Sequence, residues 1–147
     1  MDMPEILTRE ELAIWRGFRF MVEEISLGVS RALSASMGMS GGEFGILSIL
    51  RDAPGNSMRQ QDLADAMRWD RTRLSHQITR TEKRGWIKRK REKGGVTTVL
   101  LKERGRKELV RAAPMLGRIV RERFFSRLSS AQLKSLREIR TALQESA

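Results

Sequence analysis

The sequence predicts a mainly α-helical fold carrying one small β-hairpin. Three observations predict it. Apolar residues recur at steps of three and four along most of the chain, four segments read as capping boxes that open helices, and only one pair of strand-like runs flanks a glycine pair. At 147 residues, 39% of them hydrophobic, the chain suffices for one domain or one protomer of an intertwined oligomer.

Thr8 to Glu11 (T-R-E-E) is a capping box, which satisfies the first free amides of a helix. Leu12, Trp15, Phe18, Val22, Ile25, Val29 and Leu33 then form one helical stripe that runs to Gly38, a C-terminal stop. A helix of about thirty residues is long for a small domain, so it is expected to pack against more than its own chain. Ser40-Gly41-Gly42-Glu43 opens a second helix with Phe44, Leu47 and Leu50. Asp52 to Asn56 is a turn by composition. Ser57-Met58-Arg59-Gln60 reads as a third capping box, opening a short helix with Leu63, Ala64 and Met67. Asp70 caps the next helix, which carries Leu74 and Ile78 and closes at Gly85.

Trp86–Arg91 and Val96–Leu101 are the strand-like runs, and Gly94-Gly95 supports a hairpin turn between them. From Lys102 the pattern returns to helix, with Leu109, Leu116, Val120 and Phe124 on one side and Pro114 expected to kink or reset it. Ser129 to Gln132 is a fourth capping box, followed by Leu133, Leu136, Ile139 and Leu143. There is no internal repeat. The middle of this order is that of a winged helix-turn-helix, over residues 40–102. The outer segments, 8–37 and 103–147, carry apolar stripes without a domain of their own, and their simplest use is to pair with a second copy.

The net charge is +11, and it is concentrated. Residues 58–111 hold 17 basic and 7 acidic side chains, whereas residues 1–57 hold 5 and 8. Such a footprint suggests a polyanion, either nucleic acid or an anionic membrane. No apolar run approaches the ~18 residues of a membrane span. The start of the chain, MDMPEILTREEL, lacks the apolar stretch of a signal peptide, so the expected compartment is the cytoplasm. The chain has no cysteine, which excludes disulfides and thiolate metal sites.

On a wheel of about 100° per residue, Leu74, Ile78 and Thr81 share one side of the helix over residues 70–85. Thr72, Arg73, His76, Thr79, Arg80 and Lys83 share the other, with Arg71 and Ser75 at its edges. The major groove admits one helix, and an arginine fork matches the O6 and N7 of guanine. Arg71, Thr72, Arg73, Ser75, His76 and Arg80 are therefore candidate base readers. Lys83, near the helix end, suits phosphate. Ser57, Arg59 and Gln60 are candidates for a phosphate clamp at a helix start. Lys88 and Arg89 extend the backbone-contacting set. Lys90, Arg91, Lys93, Gly94 and Gly95 form the wing, whose tip without side chains can enter a narrow groove.

A basic helix face alone is usually just a solvated surface. The neighbouring helix start, the basic hairpin and the charge map turn the balance toward double-stranded DNA. A nonspecific architectural DNA or RNA binder would use the same charge without a base code. An enzyme is disfavoured, because His76, the only histidine, has no cysteine or paired carboxylate near it. It also lacks partners for a metal, and no cofactor is expected. Trp15, Arg16 and Arg19 are candidates for an effector pocket; the competing reading makes Trp15 core and the arginines surface.

These segments resemble the multiple antibiotic resistance regulator (MarR) family of bacterial transcription factors over nearly the whole chain. LAIWR at Leu12–Arg16 resembles the start of that family's first helix. DLA at Asp62–Ala64 matches its leucine-alanine pair, and Asp70–Arg89 its recognition helix and first wing strand, with the arginine-glycine pair at Arg84-Gly85. GVTTVLLKERG at Gly95–Gly105 is similar to its returning strand and leucine-threonine-x-x-glycine signature, with Lys102 in place of the threonine. LSSAQL at Leu128–Leu133 resembles the start of its last helix.

The resemblance implies a homodimer with two readers about 34 Å apart, bound to a palindromic promoter site. It implies a regulator, in most cases a repressor, released in many members by a small and often aromatic effector. The chain departs from the family at two places. Arg91-Glu92-Lys93-Gly94-Gly95 replaces the acidic-arginine-arginine wing signature and is about three residues shorter, which leaves Arg91 or Lys93 to substitute. Thr81 stands where the family buries leucine, predicting weaker helix packing or a different tilt.

Overall fold

The computed structural model describes residues 6–145. Met1–Glu5, part of the segment on which the signal-peptide reading falls, lie outside them. Helix α1 (Arg9–Met37) starts at the expected box: the Thr8 hydroxyl accepts from the Glu11 amide at 3.1 Å and the Glu11 carboxylate accepts from the Thr8 amide at 2.8 Å. It stops at Gly38, whose φ of +65° turns the chain while its amide donates to the Ser34 carbonyl. Helix α2 (Gly41–Asp52) uses the Ser40–Glu43 box in the same way.

The third box is not used. After a 3-10 turn at Pro54–Asn56, residues Ser57–Arg59 form strand β1, and helix α3 (Gln60–Met67) begins only at Gln60. Arg59 is its N-cap and makes no side-chain capping bond. The reason is non-local. Ser57, Met58 and Arg59 lie opposite Leu100, Val99 and Thr98 of strand β3 (Thr97–Leu101), so extended backbone satisfies its amides there. The hairpin thus becomes a three-stranded antiparallel sheet of order β1-β3-β2, with β2 at Ile87–Arg91.

Helix α4 (Arg71–Lys83) is capped by Asp70, whose carboxylate accepts from the Arg73 amide at 2.7 Å. The wing turn closes through Glu92 N to Val96 O at 2.7 Å, with Gly94 and Gly95 at φ +86° and +80°. Helix α5 (Glu103–Arg123) continues as one helix through Pro114, so the proline does not reset it. Helix α6 (Ser130–Glu145) starts at a reciprocal Ser129–Gln132 box.

The core joins the outer helices to the winged helix-turn-helix. Leu33 of α1 and Leu109 and Ala112 of α5 are buried with Ile46, Leu47, Leu50, Leu63, Leu74, Ile78, Ile87 and Val99. Each large side chain so buried contributes about 1.5–3 kcal/mol. Gly105 allows α5 to start tight against the root of the wing, since a Cβ there would collide with the Trp86 carbonyl oxygen. That same carbonyl accepts the Lys102 amide at 3.0 Å. Thr81 is fully buried, and its hydroxyl donates to the Gln77 carbonyl at 2.7 Å, so the substitution for leucine leaves no polar atom unpaired.

Candidate nucleic-acid interface

Leu74, Ile78 and Thr81 are fully buried, which turns the opposite side of α4 outward. Arg71, Thr72, Arg73, His76, Arg80 and Lys83 are exposed there, and Ser75 is half-buried at the edge. The helix is anchored at its end by Arg84. Its guanidinium meets both oxygens of buried Glu43, at 2.9 and 3.1 Å, and stacks 3.7 Å from the Trp86 ring centroid. Arg84 thus ties α2 to the end of α4 and the start of β2, while Gly85 makes the turn at φ +77°.

The start of α3, the start of α4 and the wing tip border one open cleft of about 310 Å³. It is lined by Arg59, Gln60, Gln61, Ala64, Arg71, Leu74, Gly95, Val96 and Thr97. A second, shallower depression holds Gln60, Arg71, Thr72, Ser75 and His76. The fold therefore gathers most of the expected readers with two of the three expected clamp residues. Ser57 is set apart, half-buried within β1.

Arg89 is spent internally. It is half-buried, with Nη2 donating to Thr79 Oγ1 at 2.8 Å and lying 3.4 Å from Glu82, whose carboxylate also takes the Arg89 amide at 2.6 Å. It staples the wing to α4, and its neighbour Lys88 is the exposed cation at this point. In the wing, Lys90 lies 3.9 Å from Glu92, and Arg91 and Lys93 are exposed.

Trp69 is a site residue that the sequence pattern does not single out. It is half-buried against the core just before the Asp70 cap, and the Arg73 guanidinium lies 4.2 Å over its ring. The available signal was its place just before the Asp70 cap, from which a side chain can fold back over the first turn of the helix.

Trp15, Arg16 and Arg19 are all exposed on the first half of α1, with Trp15 at 52%. Trp15 is thus not core. The apolar cavity of this region, about 390 Å³, lies further along α1 at Met21 and Ile25. Arg123, Phe124, Arg127, Leu128, Leu136 and Ile139 close it from α5, the following 3-10 turn and α6. Among the described residues there is no group of three metal-ligating side chains, and no helix is long and apolar enough to cross a membrane.

A winged helix-turn-helix whose reading helix presents an exposed basic face defines a DNA-binding protein of the transcription-factor class. The family model described as MarR family matches residues 39–94. Across 99% of this chain and 92% of its own, Sco3205 is 32% identical with a TM-score of 0.85. It is a MarR family transcriptional regulator from Streptomyces coelicolor, solved in complex with DNA. AbsC, a MarR family transcriptional regulator from the same organism, is 28% identical over 95% of each chain, with a TM-score of 0.81. A mutant MarR from E. coli complexed with operator DNA shares the fold, at 16% identity over 93% of this chain and 97% of its own, with a TM-score of 0.79. No curated protein matches the sequence. The chain belongs to the MarR family, whose members are transcriptional regulators and not enzymes.

Proposed function

We propose that the chain works as a homodimer that reads a palindromic promoter site, represses transcription from it and is released by a small aromatic effector. The observation that carries this reading is the division of α4, with a fully buried apolar side and an exposed basic side flanked by a helix start and a wing. In this reading Arg71, Thr72, Arg73, Ser75, His76 and Arg80 read base edges. Arg59, Gln60, Lys83 and Lys88 hold phosphates, and Arg91 or Lys93 follows the groove beside the wing tip.

What supports a dimer is the apolar surface left exposed on α1 and α6. Phe18, Phe20, Met21 and Val22 of α1 are 44–62% exposed, and Ile139 and Leu143 of α6 are 51% and 62% exposed. Contiguous apolar surface of this kind marks an interaction site. What supports an effector with an apolar body and a negative charge is the apolar cavity beside α6, with Arg123 and Arg127 in its wall.

Selection from a random duplex library at near-physiological salt tests the reading. A palindrome with half-sites about ten base pairs apart is expected. Inserted into a promoter, that site should lower reporter output when the protein is present. Tight binding with no enriched sequence would instead mark a nonspecific architectural protein.

A further inference from the structure

An exposed arginine on a reading helix has many rotamers, and only some of them present its fork to a base. Arg73 differs from Arg71 and Arg80 in this respect. Its guanidinium carbon lies 4.2 Å from the Trp69 ring centroid, whereas neither of the others has an ion pair or ring contact among the described residues. The platform is itself held. The Trp69 amide donates to the Ala64 carbonyl at 3.0 Å, and the ring packs against the core. Its edge lies over Gly42 of α2, where an added Cβ would come within 2.8 Å of Trp69 Cη2.

Stacking occupies the flat face of a guanidinium and leaves its in-plane N–H edge unused. That edge is the one that bonds guanine O6 and N7 together. We infer that Trp69 is a positioning residue that sets the Arg73 fork for one base pair of each half-site, and so helps determine sequence specificity. The inference rests on the reading of α4 as a base reader. It adds that the specificity of Arg73 is built in part outside α4, by the turn before it and by a glycine on α2.

Trp69→Leu, Trp69→Phe, Arg73→Ala and the double variant Trp69→Leu/Arg73→Ala test this. Affinity is measured on the selected duplex and on every single base-pair change within a half-site, with thermal melting as the control for folding. Arg73→Ala should relax one position. Trp69→Leu should relax that same position by about two- to fivefold, the worth of an exposed cation–π contact. Discrimination elsewhere should be unchanged, and Trp69→Phe should fall between Trp69→Leu and wild type. In the Arg73→Ala background, Trp69→Leu should add nothing at that position. Equal weakening of all sequences by Trp69→Leu, while Arg73→Ala stays position-specific, would overturn the role of Trp69 and leave the base-reading assignment intact. If Arg73→Ala relaxes no position, the base-reading assignment fails and the inference fails with it. If Trp69→Leu does not fold, Trp69→Phe decides by the same position-specific comparison.

Discussion

The outer side of α4 and the first half of α1 are both exposed, but only α1 exposes large apolar side chains. On α4 the exposed residues are arginines, a histidine and short polar side chains, and the apolar residues are buried. On α1 apolar side chains are exposed as well: Trp15, Phe18, Met21 and Val22 face solvent along with Arg16 and Arg19, and burial begins only toward Leu33. A charged surface is stable in water without a partner and gains a polyanion by releasing that polyanion's counterions. An apolar helical face costs free energy in water and gains most by meeting another apolar face. The two regions therefore suit two partners, DNA for the one and a second copy for the other.

The largest expected effect comes from removing the apolar partner. Phe18→Glu with Val22→Glu should convert a dimer to a monomer in sedimentation, with the fold retained on melting. Losing the linked second half-site should then cut operator affinity by about 10²–10⁴-fold. An unchanged dimer would show that the pairing face lies elsewhere. Next is the scaffold beneath the reader. Glu43→Ala breaks its contacts with Arg84 and its bond to the Ser40 amide. Chemical denaturation should show a loss of about 2 kcal/mol. That is less than the ~3–5 of a fully buried pair, since Arg84 is 39% exposed.

Arg73→Ala sharpens the other side of the comparison. It should cost about 1–3 kcal/mol on cognate DNA and relax one base position. Lys88→Ala should have the smallest effect, weakening every sequence alike and flattening the log–log salt slope by about one unit. Identical behaviour of these two variants on specific and random duplexes would remove the distinction between helix and wing.

Local chemistry made most of the fold legible. The boxes at Thr8, Ser40 and Ser129, the Asp70 cap and the glycine wing turn are decided within a few residues, and each is found where the sequence predicts it. The features that escaped depend on distant partners. Ser57 to Gln60 has the spacing of a capping box, but pairing with β3, forty residues on, makes it a strand. Pro114 does not end its helix, whose buried side is held by packing against α1 and α2. At the site, the wheel showed which side of α4 is exposed, because one side of a helix follows from spacing alone. It could not show that Arg89 folds inward onto Thr79 and Glu82, nor that Trp69 lies beneath Arg73. Side-chain direction is set by the neighbouring elements, and composition does not report it.

The central claim is that two chains pair through their outer helices to present two readers. Sedimentation equilibrium, first of the free chain at micromolar concentration and then on a duplex carrying the selected site, tests it most directly. A dimer in solution and two chains per palindrome are predicted. A monomer that binds with one chain per duplex would contradict the account.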